Sequence, residues 1–437
     1  MSGKLVPFEK YKDSGSEWLG AVPSEWAVAR FKGLLRERNE LSVLGDETLL
    51  SVSAYTGVTP REDIIEADDI LVRADTLVGY KRCEPTDLVV NTMLAWNRGL
   101  GVSRFSGIVS PAYAVYKLSE AFHPDYLHYL VRTDFFILYF KAFSTGVIDS
   151  RLRLYPDMFF SLYTMVPPLV VQKAIASYLD TQTQRIDTLI KEQQKLIELL
   201  REKRQALISH AVTKGIDPKA KMKDSGVEWM GEIPEEWEAP AIGYRYGVQL
   251  GKMLDGARIV GDNLSPYLRN TDVQWGRVNF EDLPTMDFTN EDRERFSLRN
   301  GDLLVCEGGD IGRSAVWNAP VTNCFYQKAL HRIRPLDSTA DSNRFLYYFF
   351  EFASRNGIFT IGVEKATIIH LTAERVRAHR FPRPPFEDQL LIARFLEQQT
   401  TKIDALISEA ESTITLMQEH RSALISAVVT GKVRVPA

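Results

Sequence analysis

The sequence predicts an α+β protein: two mixed α/β domains separated by two long helices packed as an antiparallel coiled coil, with an internal pseudo-twofold repeat. Three observations carry that expectation. The uncommon string KDSGSEWLGAVPSEW at residues 12–26 returns as KDSGVEWMGEIPEEW at residues 223–237. Residues 172–213 align without a gap to residues 389–430, with 21 of 42 positions identical. Both of those stretches lack Pro and Gly and carry apolar residues at alternating steps of three and four, the heptad seam of a coiled coil. Self-similarity at so long a period marks a duplicated architecture.

At 437 residues the chain exceeds the usual size of one hydrophobic core. The expected organisation is a first domain over 1–168 with its lead-in at 11–26, then a long helix over 169–214. A second domain over 215–385 with its lead-in at 222–237 follows, then a second long helix over 386–431 and a tail over 432–437.

Each lead-in holds two Trp with a Gly and a Pro, and reads as a compact structural entry in which Trp18, Trp26, Trp229 and Trp237 pack. In the first variable region, residues 47–58, 87–93 and 112–118 read as strands and DYLHYLVRTDFFILYFKAF (125–143) as helical. In the second, residues 301–308, 314–317 and 329–336 read as strands and NRFLYYFFEFASRNG (343–357) as helical. TDLVV at 86–90 corresponds to GDLLV at 301–305.

Pro167-Pro168 and Pro384-Pro385 announce the long helices, since proline suits a helix start. Gly215 and Gly431 close them. The first seam is Ile175, Leu179, Ile186, Ile190, Ile197, Leu200, Leu207 and Ala211. The second is Ile392, Leu396, Ile403, Ile407, Ile414, Met417, Leu424 and Val428. Thr183/Thr400 and Arg204/Arg421 interrupt both seams at matching places, either as polar register residues or as the edge of the stripe. A 42-residue helix is about 63 Å long and needs a partner for its apolar stripe; the other copy has the same length and pattern. Antiparallel pairing brings the end of the second helix, TGKVRVPA, back towards the first lead-in.

Composition excludes several classes. No run approaches the roughly 20 apolar residues of a membrane span, and the first residues lack a signal-peptide pattern, so a cytoplasmic, membrane-free protein is expected. Cys83, Cys306 and Cys324 are widely spaced and read as buried, reduced thiols, with no metal site. There is no GxxxxGK[ST] loop, HExxH pair or GxSxG elbow. RPPF at 383–386 places Arg383 where an amino-methyltransferase element needs a polar acceptor, and it reads as a helix entry. No catalytic residue is expected.

Loops in both variable regions mix basic, amide and aromatic residues. Arg and Lys suit guanine edges or phosphates, and Asn and Gln suit adenine edges. The candidate DNA-binding residues are Asn91, Trp96, Asn97, Arg98, Arg104, Arg151 and Arg153 in the first region. In the second they are Arg269, Asn270, Gln274, Trp275, Arg277, Arg313 and Lys365. A net charge of −4 does not itself advertise a nucleic-acid partner.

The duplicated EWLGAVPSEW/EWMGEIPEEW, the entries VPPLVVQKAIASYLD and RPPFEDQLLIARFLE, and the endings RQALISHAVTKG and RSALISAVVTGK resemble the specificity (S) subunit of type I restriction-modification systems. YLRNTDVQWG and GDLLVCEGGDIGRSAVW are similar to segments of such target-recognition domains. The resemblance covers nearly the whole chain. It implies a non-catalytic subunit whose two domains each read one half of a bipartite, asymmetric double-stranded DNA site. It implies that the coiled coil sets the gap and docks two methyltransferase (M) subunits, with restriction (R) subunits adding translocation and cleavage. S-adenosylmethionine, ATP and Mg would then belong to those partners, and this chain would hold no cofactor.

Overall fold

A computed structural model describes residues 5–54, 56–61, 76–148, 151–253, 261–318, 321, 323–361 and 370–436. The chain divides into two compact units: Met1–Gln194 with Glu411–Ala437, and Lys195–Ala410. Each unit contains one α/β domain, part of each long helix and one lead-in.

The first unit is built on a four-stranded antiparallel sheet of Leu35–Glu37 (β1), Leu88–Asn91 (β2), Leu100–Val102 (β3) and Tyr113–Leu118 (β4), ordered β1-β4-β2-β3. The second unit repeats it with Tyr246–Leu250 (β5), Leu303–Cys306 (β6), Ser314–Val316 (β7) and Leu330–Pro335 (β8), ordered β5-β8-β6-β7. Strands β2 and β6 are buried along their whole length, in keeping with the apolar residues 88–90 and 303–306 that make them up. The stretch 47–58, expected as one strand, instead reverses into a hairpin of Leu50–Ser53 and Gly57–Pro60. Gly57, at φ +82°, supplies the left-handed conformation that starts the return strand.

The stretch expected as helical over 125–143 forms two helices, α1 (Pro124–Val131) and α2 (Asp134–Ala142). The break falls at Thr133, which is extended and caps α2 by accepting from the Phe136 N–H at 3.3 Å. The long helices are α3 (Leu169–Lys214) and α5 (Phe386–Val429); between them lies α4 (Asn343–Arg355) in the second unit. In the first unit, Ile186 and Ile190 of α3 share a core with Met417 and Leu424 of α5. In the second, Leu207 and Ile208 of α3 share one with Ile392 and Leu396 of α5.

Two ion pairs state the pairing direction. Arg204 Nε meets Asp404 at 2.9 Å in the second unit, and Arg421 Nε meets Asp187 at 2.9 Å in the first. Arg204 and Arg421 are equivalent in the repeat, and so are Asp187 and Asp404. Contact of i with j′ and of j with i′ is the mark of an isologous, antiparallel pairing. The seam residues Leu179, Ile186, Ile197, Leu396, Ile403 and Leu424 are buried; Ile190, Leu200, Leu207, Ile407, Ile414 and Met417 are half-buried. Thr183 and Thr400 are also buried, so they lie within the packed stripe and not at its edge. Each satisfies its hydroxyl on the carbonyl one turn back, Leu179 at 2.7 Å and Leu396 at 2.8 Å.

The lead-ins are the junctions where a long helix ends. In the second unit, Gly215 closes α3 at φ +81°, and a Cβ there would stand 3.3 Å from Trp237. In the first unit, Gly431 follows α5 at φ +74°, and a Cβ there would stand 3.0 Å from Trp26 and 2.6 Å from Pro23. The first junction is closed across the two ends of the chain. The Tyr11 hydroxyl lies 3.2 Å from the carbonyls of both Gly431 and Lys432, and the Arg434 N–H donates to Val6 at 2.7 Å. Trp26 and Trp237 are buried, Trp229 lies against Phe349 and Phe352, and the partly exposed Trp18 stacks on Tyr139 at 5.1 Å and meets Phe143 edge-on. The three cysteines are buried and free. No helix among the described residues is long and apolar enough to cross a membrane.

Candidate nucleic-acid interface

Loop residues of the first unit emerge from the ends of β2 and β3. Asn91 is buried at the end of β2, and its Oδ1 accepts from the Met93 N–H at 3.1 Å. It shapes the turn and does not present its amide outward, contrary to the sequence expectation, because a strand fully covered on both faces ends there. Trp96 donates Nε1–H to the Met93 carbonyl at 2.9 Å, and the Lys141 ammonium lies 5.5 Å from its ring centre. Asn97 is exposed at the tip. Arg98 adopts the left-handed region at φ +58° and pairs with Asp134; Arg104 pairs with Asp125 at 3.0 Å. Both arginines face a cleft of about 1100 Å³ with Arg132, Arg421 and three aspartates, Asp125, Asp134 and Asp187.

Arg151 and Arg153 are exposed on a separate edge. They share a cleft of about 490 Å³ with Met93 and Tyr155, and the adjoining Leu154 N–H donates to Thr92 at 2.9 Å. The structure therefore brings the 91–98 loop beside 151–153 and directs Arg98 and Arg104 to a different cleft.

In the second unit the cluster is tighter. Arg269 is held by Asp272 through two bonds of 2.9 and 2.8 Å. Asn270 donates to the carbonyls of Gly308 and Ala329, each at 3.3 Å, and accepts from Arg313 at 2.7 Å. Arg313 also donates to the Asn270 carbonyl at 3.0 Å. Both side chains are thus spent on bracing the 306–313 loop, an internal role the sequence did not reveal. Trp275 donates Nε1–H to Asp310 at 2.7 Å, with the Arg355 guanidinium 5.7 Å from its ring. Gln274 and Arg277 pair across a two-residue hairpin; Gln274 donates back to Thr271 at 2.8 Å and Arg277 is exposed. Lys365 lies outside the described residues.

Sequence reasoning overlooked the residues that tie α1 and α4 to the long helices. Gln172 and Gln389, both fully buried, sit at matching places at the foot of the long helices. Gln172 accepts from the His123 N–H at 2.8 Å and donates to Ala121 and Pro167, each at 2.8 Å. Gln389 accepts from the Ser342 N–H at 2.8 Å and donates to Ala340 at 3.2 Å and Pro384 at 2.9 Å. Their identity in the aligned repeat, at a position where the stripe expects an apolar residue, was the available signal. Glu351, buried in α4, pairs with Arg204 and accepts from Tyr347 at 3.1 Å.

The frame is written twice, and its loops carry unlike polar residues in the two copies. Residues 260–415 match the family model described as the type I restriction modification DNA specificity domain. The chain is 23% identical to the type I restriction enzyme MjaVIII specificity subunit of Methanocaldococcus jannaschii, over 95% of this chain and 94% of that protein. It is 20% identical to the EcoKI specificity subunit of Escherichia coli, over 94% of this chain and 90% of that one. Among solved structures, one titled for complex assembly and conformational transition of the type I R-M system aligns with a TM-score of 0.69 and 16% identity, over 93% of this chain and 98% of that chain. The HsdS subunit of Thermoanaerobacter tengcongensis aligns with a TM-score of 0.58 and 16% identity, over 94% of this chain and 98% of that chain. Over nearly its whole length the chain is thus similar to specificity subunits of type I restriction-modification systems, and residues 260–415 match the DNA specificity domain of those systems.

Proposed function

We propose that each α/β domain reads one half of a bipartite, asymmetric double-stranded DNA site, and that the coiled coil fixes the gap and docks two M subunits. The observation that carries this reading is the repeat itself. One frame, with the same strand order and a matching buried Gln at the foot of each long helix, carries Asn97 and Arg98 between β2 and β3 and Arg151 and Arg153 beside them in one copy, and Gln274, Trp275 and Arg277 between β5 and β6 in the other. Unlike side chains in the loops of a like frame suit unlike sequences. Half-sites one helical turn apart lie about 34 Å from each other, and a long helical pair suits such a spacer.

The outer faces of the long helices support the partner reading. Leu189 and Leu406 are equivalent in the repeat, as are Leu199 and Leu416, and all four are exposed. Two equivalent apolar positions on each of two copies suit two copies of one partner, the M subunits. S-adenosylmethionine, ATP, Mg and the R subunits belong to the assembled complex.

Mapping methylated adenines genome-wide, in cells carrying this chain with its cognate M subunits, tests the reading. It expects two different short half-sites at one fixed gap. A continuous palindrome, or methylation without sequence preference, rejects it.

A further inference from the structure

Helices α1 and α4 occupy the same place in the two units. Their N-cap residues, His123 and Ser342, bond the equivalent Gln172 and Gln389. Counting on from those caps, Tyr129 matches Tyr348, His128 matches Tyr347, and Arg132, just past α1, matches Glu351. The matched tyrosines bolt each helix to a long helix. The Tyr129 hydroxyl donates to Asp180 at 2.7 Å and lies 3.3 Å from the Thr183 hydroxyl. Tyr348 bonds the equivalent Thr400. This is the use of the two buried threonines that interrupt the apolar seam.

On the neighbouring face, residues four apart reach the loops. His128 Nδ1 accepts from the Val102 N–H at 3.2 Å, and its ring fills space that only glycine leaves. A Cβ on Gly57 or Gly101 would approach His128 Cε1 to 2.9 or 3.2 Å. The Arg132 guanidinium gathers four carbonyls from two loops: Ser53 at 3.3 Å, Ala54 at 2.8 Å, Arg98 at 3.0 Å and Leu100 at 2.6 Å. Those loops are the 50–60 hairpin and the 95–100 turn that presents Asn97 and Arg98. In the second unit, Tyr347 faces Gly276, where a Cβ would stand 3.0 Å from its hydroxyl, and Gly276 is the turn that presents Trp275 and Arg277. The same hydroxyl is anchored on Glu351, which holds Arg204 of α3.

Each helix therefore touches the coil with one face and a reading loop with the next. We infer that His128, Arg132 and Tyr347 are positioning residues for base reading: they lock each reading loop to the coil, so that sequence preference at one half-site depends on side chains that do not touch DNA. The inference rests on the two-half-site reading proposed above. A recognition constellation must be held to about 0.5 Å, and an error of that size erodes the bidentate contacts on which base discrimination depends. Four carbonyls from two loops cannot keep their spacing without the planar fork that gathers them, and an ammonium cannot replace that fork.

The test uses the full chain co-produced with its M subunits. Arg132→Lys, Gly101→Ala and Tyr347→Phe complexes are purified, and methylated adenines are mapped for each beside the wild type. Arg132→Lys and Gly101→Ala are expected to relax base preference about tenfold at one half-site. Tyr347→Phe relaxes the other half-site, and the gap and the untouched half-site stay as in the wild type in every case. Complexes that assemble at wild-type yield and keep wild-type preference at both half-sites overturn the inference. So does an equal loss of methylation at both half-sites with preference intact, which marks a merely structural role. Should Arg132→Lys fail to assemble, Gly101→Ala, which presses on His128 and Gly57, and Tyr347→Phe, which removes one hydroxyl, decide the matter. A wild-type map without two half-sites defeats the two-half-site reading itself, and is told apart because it appears before any substitution.

Discussion

Thr86 and Gly301 stand at the same point of the repeat, before β2 and β6, and both adopt positive φ, +75° and +90°. Each precedes a buried aspartate that organises the turn: Asp87 accepts from the Glu84 N–H at 2.8 Å, and Asp302 from the Arg299 N–H at 2.7 Å. A β-branched residue is strained in that conformation by about 1–2 kcal/mol, and glycine is not. Thr86→Gly is expected to stabilise the protein by up to about 1 kcal/mol, part of the relief being offset by glycine's chain entropy. Gly301→Thr should lose about 1–2 kcal/mol. Denaturant midpoints of the two variants check the opposite signs. His128 is a second residue-scale case. Burial, and then the charge of Arg132, lower its pKa to about 4, and Nδ1 can accept from Val102 only while unprotonated. The unfolded chain takes up this proton near pH 6.5 and the folded one only near pH 4. The stabilisation is thus complete above about pH 6.5 and is lost as pH falls towards 4, at up to about 1.4 kcal/mol per unit. His128→Gln removes that slope, so its stability gap from wild type should narrow between pH 7 and pH 4 in parallel denaturation curves.

At the scale of elements, the two halves of the coil are alike in sequence and unlike in setting. Arg204 joins Asp404 on α5 and the buried Glu351 on α4, whereas its equivalent Arg421 joins Asp187. The position matching Glu351 is Arg132, whose charge bears on Arg421 rather than neutralising it. Removing Arg204 leaves a buried carboxylate without its cation, which costs about 3 kcal/mol. Removing Arg421 gives up a half-exposed pair worth at most about 1 kcal/mol. Arg204→Ala should therefore unfold at distinctly lower denaturant than Arg421→Ala, and equal midpoints would contradict the assignment. The coil itself was legible in the sequence because a heptad seam, paired prolines and a duplicated glycine stop are local signals. The break at Thr133 was less legible, since Thr-Asp within an apolar run reads as helix until the cap is seen. Arg132 and Glu351 were not legible, because their meaning lies in partners tens of residues away, and the two glutamines showed only as a matched polar pair in the apolar stripe. The loop candidates were legible only as types: Asn91, Asn270 and Arg313 have the chemistry of base readers, and the fold spends them on its own turns.

On the scale of the whole molecule, charge decides how much of the proposed DNA binding this chain performs alone. Its net charge is −4, and the folded arrangement reduces the cationic surface further. Arg98, Arg104 and Arg269 are each committed to an aspartate. Arg313 is committed to Asn270, while Arg151, Arg153 and Arg277 are exposed. Each phosphate neutralised contributes about 0.9 to the slope of log affinity against log salt. The three exposed candidate arginines among the described residues, shared between two reading faces, thus give the isolated chain a slope of magnitude about 3, and weak binding at physiological salt. Breaking an Arg–Asp pair to engage a phosphate gains little, because the carboxylate then stands beside the DNA backbone. M subunits that add their own basic surface should steepen the slope and tighten binding together. Fluorescence anisotropy of a labelled duplex carrying the mapped site, titrated between 50 and 200 mM salt with and without M subunits, measures both quantities. An isolated chain whose slope equals that of the complex would mean that the paired arginines release their aspartates on binding, and that the readers carry the phosphate contacts by themselves.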